Sequence, residues 1–145
     1  MYSVVIPSIG RRNYLIELLD SILMQTLLPE EIIIVLDNNK KCKDLQNHLN
    51  KESKIKLIFT DGLNTPQKRN IGVNVAKTDN IIFSDDDDLW EIDKGKFTIE
   101  SLKNSQVVCH AYSKFGSLNK KPKYYLGRKN KIVPLYYLLS GDNIF

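Results

Sequence analysis

Four consecutive aspartates, Asp85-Asp86-Asp87-Asp88, carry the strongest chemical signal in this 145-residue chain. Adjacent carboxylates repel one another. On a free tail water would absorb that cost. Here the run follows the apolar Ile81-Ile82-Phe83 after one serine, Ser84, and precedes the apolar Leu89-Trp90. A bound divalent cation is the natural compensation, because Mg²⁺, Mn²⁺ and Ca²⁺ prefer carboxylate oxygens. In an extended stretch residues i and i+2 point the same way, which puts Asp85 and Asp87 on one face and Asp86 and Asp88 on the other. The bland alternatives are a solvated loop or acids that cap a helix. An EF-hand is excluded, because the sixth position from Asp85 is Trp90, where that loop needs glycine. Neither a Walker A loop nor a G-x-G-x-x-G fingerprint occurs.

Such a site needs elements that bring distant residues to the acidic run. Residues 2 to 7 are an apolar, β-branched run ended by Pro7, which suits a buried strand. From Asn13 onward Leu15, Leu18, Leu19, Ile22 and Leu23 recur at the spacing of one helix face, and Pro29 marks the exit. Ile32-Ile33-Ile34-Val35-Leu36 is apolar at every position, as in a parallel strand covered on both faces. Residues 42 to 50 read as a polar helix and 55 to 59 as a third strand. Thr65-Pro66 reads as a helix start with Thr65 as N-cap, and that helix carries Ile71, Val75 and Ala76 on its inner side. A fourth strand at Asn80 to Phe83, a helix from about Asp93 to Lys103 and a strand from Gln106 to Tyr112 complete the pattern. This alternation predicts an α/β fold with a mostly parallel sheet and right-handed crossovers. Ligands bind such sheets outside the carboxyl ends of the strands. Pro7-Ser8, Asp37 and the aspartate run all fall there. Asn38 and Asn39 read as turn residues, and Trp90 as a packing lid or a wall of a sugar site.

Composition agrees with a globular domain: 42% hydrophobic and 26% charged residues rule out a disordered or membrane-embedded chain. Cys42 and Cys109 lie far apart with no metal-ligand spacing, and Cys109, within Val107-Val108-Cys109, reads as a small core residue. His48 and His110 are isolated. The net charge of +4 is uneven, since residues 114–131 hold seven Lys or Arg and no acid. That segment reads as a solvated loop or as a surface for phosphate or anionic lipid head groups. No nucleic-acid-binding signature accompanies it. The N-terminus has neither a basic n-region nor a cleavage site and reads as a strand, which points to the cytoplasm, and the basic segment 114–131 adds a peripheral place at the inner face of the membrane.

Five motifs occur in order: Ser3-Val4-Val5-Ile6-Pro7-Ser8; Leu19 with Ser21 through Gln25; Glu31 through Asp37; Lys68-Arg69-Asn70-Ile71-Gly72; and Ile81 through Asp88. Together they resemble the inverting family-two glycosyltransferases, which have the GT-A fold, a Rossmann-like, mostly parallel sheet flanked by helices. The resemblance implies a nucleotide-sugar donor, usually a UDP-sugar, with Mn²⁺ or Mg²⁺ on its pyrophosphate. It implies inverting transfer to the hydroxyl of a glycan or lipid-linked acceptor, as in bacterial polysaccharide synthesis. It assigns Pro7 and Ser8 to the nucleoside pocket and Asp37 to the base ring N–H. Arg69, in R-N-x-G, falls near the base and phosphates. Asp85, Asp86 and Asp87 cover the D-x-D motif, with Asp87 at the metal-ligating position and Asp85 beside it. Lys68 offers a further charge-assisted hydrogen bond to phosphate, or belongs to a solvated first turn.

Departures from the pattern set further expectations. Ile9-Gly10 stands where the family usually has Tyr-Asn, and Leu36 replaces the first acid of the usual pair. The general base of the family is a carboxylate well after the D-x-D, whereas Asp142 is the one acid after Glu100. Residues 1–113 are thus expected to form the nucleotide-sugar-binding core and 114–145 a basic loop and the start of an acceptor region, in a truncated or unusually short member. Exposed Leu135, Leu138, Leu139 and Phe145 would then favour self-association. The alternative to an enzyme is a nucleotide-sugar-binding module that lacks the base. A phosphohydrolase needs an aspartyl nucleophile after the first strand, where this chain has Pro7-Ser8-Ile9-Gly10.

Overall fold

The computed structural model describes residues 1–49, 52–110, 112–113 and 124–125. Two strands, β1 (Ser3–Ser8) and β2 (Glu31–Asp37), form the middle of a sheet, with Val4 opposite Ile32 and Ile6 opposite Ile34. Strand β3 (Ile55–Thr60) adds to β2 and β4 (Ile81–Phe83) to β1, all parallel, in the order β3-β2-β1-β4. Parallel neighbours require crossovers, and the helices α1 (Arg12–Leu23), α2 (Lys40–Leu49) and α3 (Thr65–Asn74) supply them.

Strand periodicity divides the apolar runs between the two faces. Val4, Ile6, Ile32, Ile34 and Leu36 pack on one side with Leu15, Leu18, Leu19 and Ile22 of α1 and Cys42, Leu45 and Leu49 of α2. Val5, Ile33 and Val35 pack on the other with Ile58, Ile71, Val75 and Ala76, which places α3 there. The expectation of a doubly covered strand at Ile32–Leu36 is met. Each such side chain contributes about 1.5–3 kcal/mol on burial, so these central strands anchor whatever their carboxyl ends carry.

Three local readings are corrected. The N-cap of α3 is Asn64, not Thr65: Asn64 Oδ1 accepts from Gln67 N–H while Gln67 Oε1 accepts from Asn64 N–H, both at 3.0 Å. This capping box outcompetes a lone threonine. Residues 106–110 form no strand. A three-residue apolar run has β propensity, but a strand needs a ladder partner, and among the described residues β4 ends the sheet. Val107 and Cys109 are exposed instead of buried. The helix after the aspartates, α4 (Lys94–Leu102), falls where expected.

The chain divides into two compact units, Met1–Asn104 and Ser105–Phe145. In the second, β5 (Tyr112–Ser113) pairs antiparallel with β6 (Tyr124–Tyr125). Asp142, the apolar residues from Leu135 to Phe145 and nearly all of the basic segment 114–131 lie outside the described residues. No described helix is long and apolar enough to cross a membrane.

Candidate active site

The chain winds from β1 outward to β3 and then returns to the far side of β1, so the strand order reverses between β1 and β4. A crevice at this switch point is the expected ligand site of an open α/β sheet. Pro7 helps to open it. Ser3 N–H donates to Asn80 O, and Ser84 N–H donates to Val5 O, so the odd residues of β1 face β4. Because β4 accompanies β1 only as far as Val5, Pro7 lies past its end, where a missing N–H interrupts no ladder bond. The resulting cleft has a volume of about 400 Å³ and is lined by Pro7, Ser8, Ile9, Arg11, Thr65, Lys68, Asp85, Asp86 and Asp87.

The aspartates enter the cleft with alternating exposure. Asp86 is buried, while the side chains of Asp85 and Asp87 are 53% and 45% exposed. The predicted alternation ends there, because a turn closed by Asp88 N–H on Asp85 O leaves Asp88 exposed too, not inward with Asp86. Ser8 Oγ donates to Asp86 Oδ2 at 2.5 Å and accepts from Gly10 N–H at 2.9 Å. Gly10 has φ +79°, and a Cβ there would lie 2.6 Å from Cys42 Sγ. Only glycine makes this turn without strain.

That turn delivers Arg11, which sequence reasoning missed. Its Nε and Nη2 both donate to Asp86 Oδ1, and Nη1 donates to Asp87 Oδ2 at 2.8 Å. The bond to Asp86 holds the guanidinium above even its ordinary pKa. The one signal available was the Arg11-Arg12 pair directly after the first strand turn. Arg69 Nη2 donates to Asp85 Oδ1 at 2.6 Å, with the guanidinium carbon 5.7 Å from the Phe83 ring centroid.

Lys68 is not part of a solvated first turn. It is buried, and Nζ lies 2.6 Å from Asp37 Oδ1 and donates to Ser8 O at 2.9 Å. The structure thus places Pro7, Ser8, Lys68, Asp85, Asp86 and Asp87 around one cleft. Asp37 and Arg69 join through their ion pairs.

Downstream residues brace the acidic loop. Trp90 is buried, its indole N–H donates to Ser84 Oγ at 2.9 Å, and its backbone N–H donates to Ser21 Oγ at 3.1 Å. It is a packing lid. Gln25 donates to Glu91 O at 2.7 Å and accepts from Gly95 N–H at 2.8 Å. Asn39 Oδ1 accepts from Cys42 N–H at 2.9 Å and so caps α2, in keeping with a turn role.

Among the described residues no group of three or more His, Cys, Asp or Glu side chains is arranged to hold a metal ion. An all-protein cage is therefore a poor fit. A Mg²⁺-type ion would need only one or two of the cleft carboxylates, with waters and ligand phosphates completing its shell. The half-exposed Asp87 and Asp85 line the cleft, one oxygen of each paired with Arg11 and Arg69 respectively.

An open parallel sheet of this order, with an acid-lined crevice at its switch point, is a Rossmann-like arrangement, and likeness to solved glycosyltransferase structures makes it the GT-A class of fold. The chain belongs to glycosyl transferase family 2, whose family model matches residues 3–142. An uncharacterized glycosyltransferase of Haemophilus influenzae is 30% identical over 146 residues, which cover 98% of this chain and 58% of that protein. Another from Rickettsia felis is 28% identical over 123 residues, 84% of this chain and 20% of that protein. The chain thus spans less than two thirds of either relative. Residues 1–349 of S. aureus TarS superpose with a TM-score of 0.63 at 20% identity, covering 89% of this chain and 40% of that one. The TarS complex with UDP superposes with a TM-score of 0.56 at 23% identity, covering 70% and 32%.

Proposed function

We propose that the protein binds a nucleotide-sugar donor, a UDP-sugar, in the cleft together with Mg²⁺ or Mn²⁺, and serves inverting transfer of the sugar to an acceptor hydroxyl in polysaccharide or glycan synthesis. The observation that carries this reading is the charge balance of the crevice. Four carboxylates, Asp37, Asp85, Asp86 and Asp87, face three cations, Arg11, Lys68 and Arg69, which leaves one negative charge. A dianionic diphosphate is repelled from such a site unless a divalent cation enters with it. Family membership supports the donor class, as does the superposition on TarS, which was solved with UDP and with UDP-GlcNAc.

Pro7 and Ser8 form the floor under the nucleoside. Asp37, oriented by Lys68, presents its carboxylate to a base ring N–H. Asp87, with Asp85 beside it, takes the metal, which when bound supplies Lewis-acid stabilisation of the departing diphosphate. Arg69 adds positive charge on the phosphate side. Asp142 is the candidate base for the acceptor hydroxyl, whose proton must leave as the sugar is transferred. The basic segment 114–131 suits a peripheral contact with anionic head groups near a lipid-linked or glycan acceptor. The test is calorimetric titration with UDP in Mn²⁺, in Mg²⁺ and in excess chelator. Metal-dependent binding is expected. Equal affinity in chelator overturns the metal, and absence of binding in every condition overturns the donor.

A further inference from the structure

We propose that Arg11 is a switchable clamp: it neutralises Asp86 and Asp87 before the donor arrives, and passes one arm of its guanidinium from Asp87 to the donor diphosphate when a divalent cation takes that carboxylate. The inference rests on the reading of the cleft as a nucleotide-sugar site.

The two sides of the guanidinium are held unequally. On the inner side Nε and Nη2 grip Asp86, whose side chain is 3% exposed and is also held by Ser8 Oγ. Breaking that contact would strand a buried carboxylate, so it stays. On the outer side Nη1 meets Asp87, which is 45% exposed, and half-exposed ion pairs are weak. The outer arm is therefore the one that moves. The turn at Ser8–Gly10 and the Tyr14 ring, whose centroid lies 5.8 Å from the guanidinium carbon, keep the group at the cleft while it does so.

Electrostatics favours the exchange. A divalent cation on Asp87 repels the guanidinium that shares the same carboxylate, so metal and Arg11 compete for it. A guanidinium released from one oxyanion is matched in shape and charge to phosphate oxygens, which accept its fork of parallel N–H groups. One residue thus opposes metal binding alone and favours metal together with diphosphate. This makes occupation of the site by metal and by donor mutually dependent.

The test compares the parent chain with Arg11→Gln and Arg11→Lys. Mn²⁺ binding is read by electron paramagnetic resonance without nucleotide, and UDP binding by calorimetry at saturating Mn²⁺. Arg11→Gln is expected to bind Mn²⁺ alone about tenfold more tightly and UDP about tenfold more weakly. A purely structural role moves both in one direction. Arg11→Lys keeps the charge and loses the fork, so it is expected to lie between the two, and it carries the same test should Arg11→Gln fail to fold. Shifts of the same sign, or unchanged Mn²⁺ affinity, overturn the clamp. UDP binding by the parent that both variants leave intact overturns the clamp alone. Absence of UDP binding by the parent overturns the donor-site reading, and the clamp with it.

Discussion

Lys68 Nζ lies 2.6 Å from Asp37 Oδ1, in a pair whose cation is 3% exposed and whose anion is 32% exposed. The same ammonium donates to Ser8 O, so one buried charge ties α3 to the ends of both central strands. The asymmetry sets the order of mutational costs. Asp37→Asn leaves a buried cation without its counter-charge and is expected to cost about 2–3 kcal/mol, short of the full value because Asp37 is partly solvated. Lys68→Met removes the buried charge itself and is expected to cost about 1–2 kcal/mol. Urea denaturation of both single variants and the double variant measures the coupling. A double variant as unstable as the sum of the singles would show that the pair does not interact.

The proposed base-reading role of Asp37 is tested in the ligand. Asp37→Ala removes a charge-assisted hydrogen bond and is expected to weaken UDP by about 1.5–3 kcal/mol while erasing the preference for UDP over CDP and GDP. Retention of the parental affinity and preference would remove Asp37 from the base site.

Position relative to the cleft separates the last two aspartates of the run. Asp87 lines the cleft, whereas Asp88 does not. Asp87→Asn is therefore expected to reduce metal-dependent UDP binding by about tenfold or more, and Asp88→Asn to leave it within about twofold. Equal losses would show that the metal position lies elsewhere in the run.

Helix α3 carries Lys68 and Arg69 only as close to the sheet as Gly72 allows. A Cβ at Gly72 would lie 2.3 Å from Val5 Cγ1, well inside contact distance. Gly72→Ala is expected to cost about 1–3 kcal/mol through overpacking and to weaken UDP by lifting both cations from their partners. Combining it with Val5→Ala makes room for the added methyl, so the double variant is expected to be more stable than the sum of the singles, as thermal melts would show.

Although Asp88 is exposed as a residue, partial desolvation of its carboxyl raises it above its ordinary pKa, while the neighbouring Lys94 charge pulls it down. A carboxyl raised in the folded state binds its proton more tightly there than when unfolded, so its contribution to stability falls as pH rises through that window. Asp88→Asn removes this loss. The variant is expected to match or exceed the parent at neutral pH, and its advantage is expected to vanish below about pH 4, where the carboxyl is protonated in both states. Thermal melts from acid to neutral pH measure the difference. An advantage that instead grows on acidification would contradict the sign.

Local patterning marked the four strands of the parallel sheet, the helices that cover it and the end at which chemistry occurs. Ile32 to Leu36 is apolar at every position, so the strand had to be covered on both faces, and the aspartate run had to emerge from a strand end. These are properties of local periodicity and burial, which short windows of sequence carry. The capping box of Asn64 and Gln67 was equally local, and its signature was present to be read. Other features were decided only by tertiary structure. Arg11 reaches Asp86 across 75 residues because the order β3-β2-β1-β4 sets the end of β1 beside the end of β4. No window of sequence contains both partners, and nothing in the spacing of Lys68 distinguishes a solvated cation from one turned inward onto Asp37. The exposure of Val107 and Cys109 has the same origin. An apolar run becomes a strand only where a neighbouring ladder receives it, and ladder order is a property of the assembled sheet.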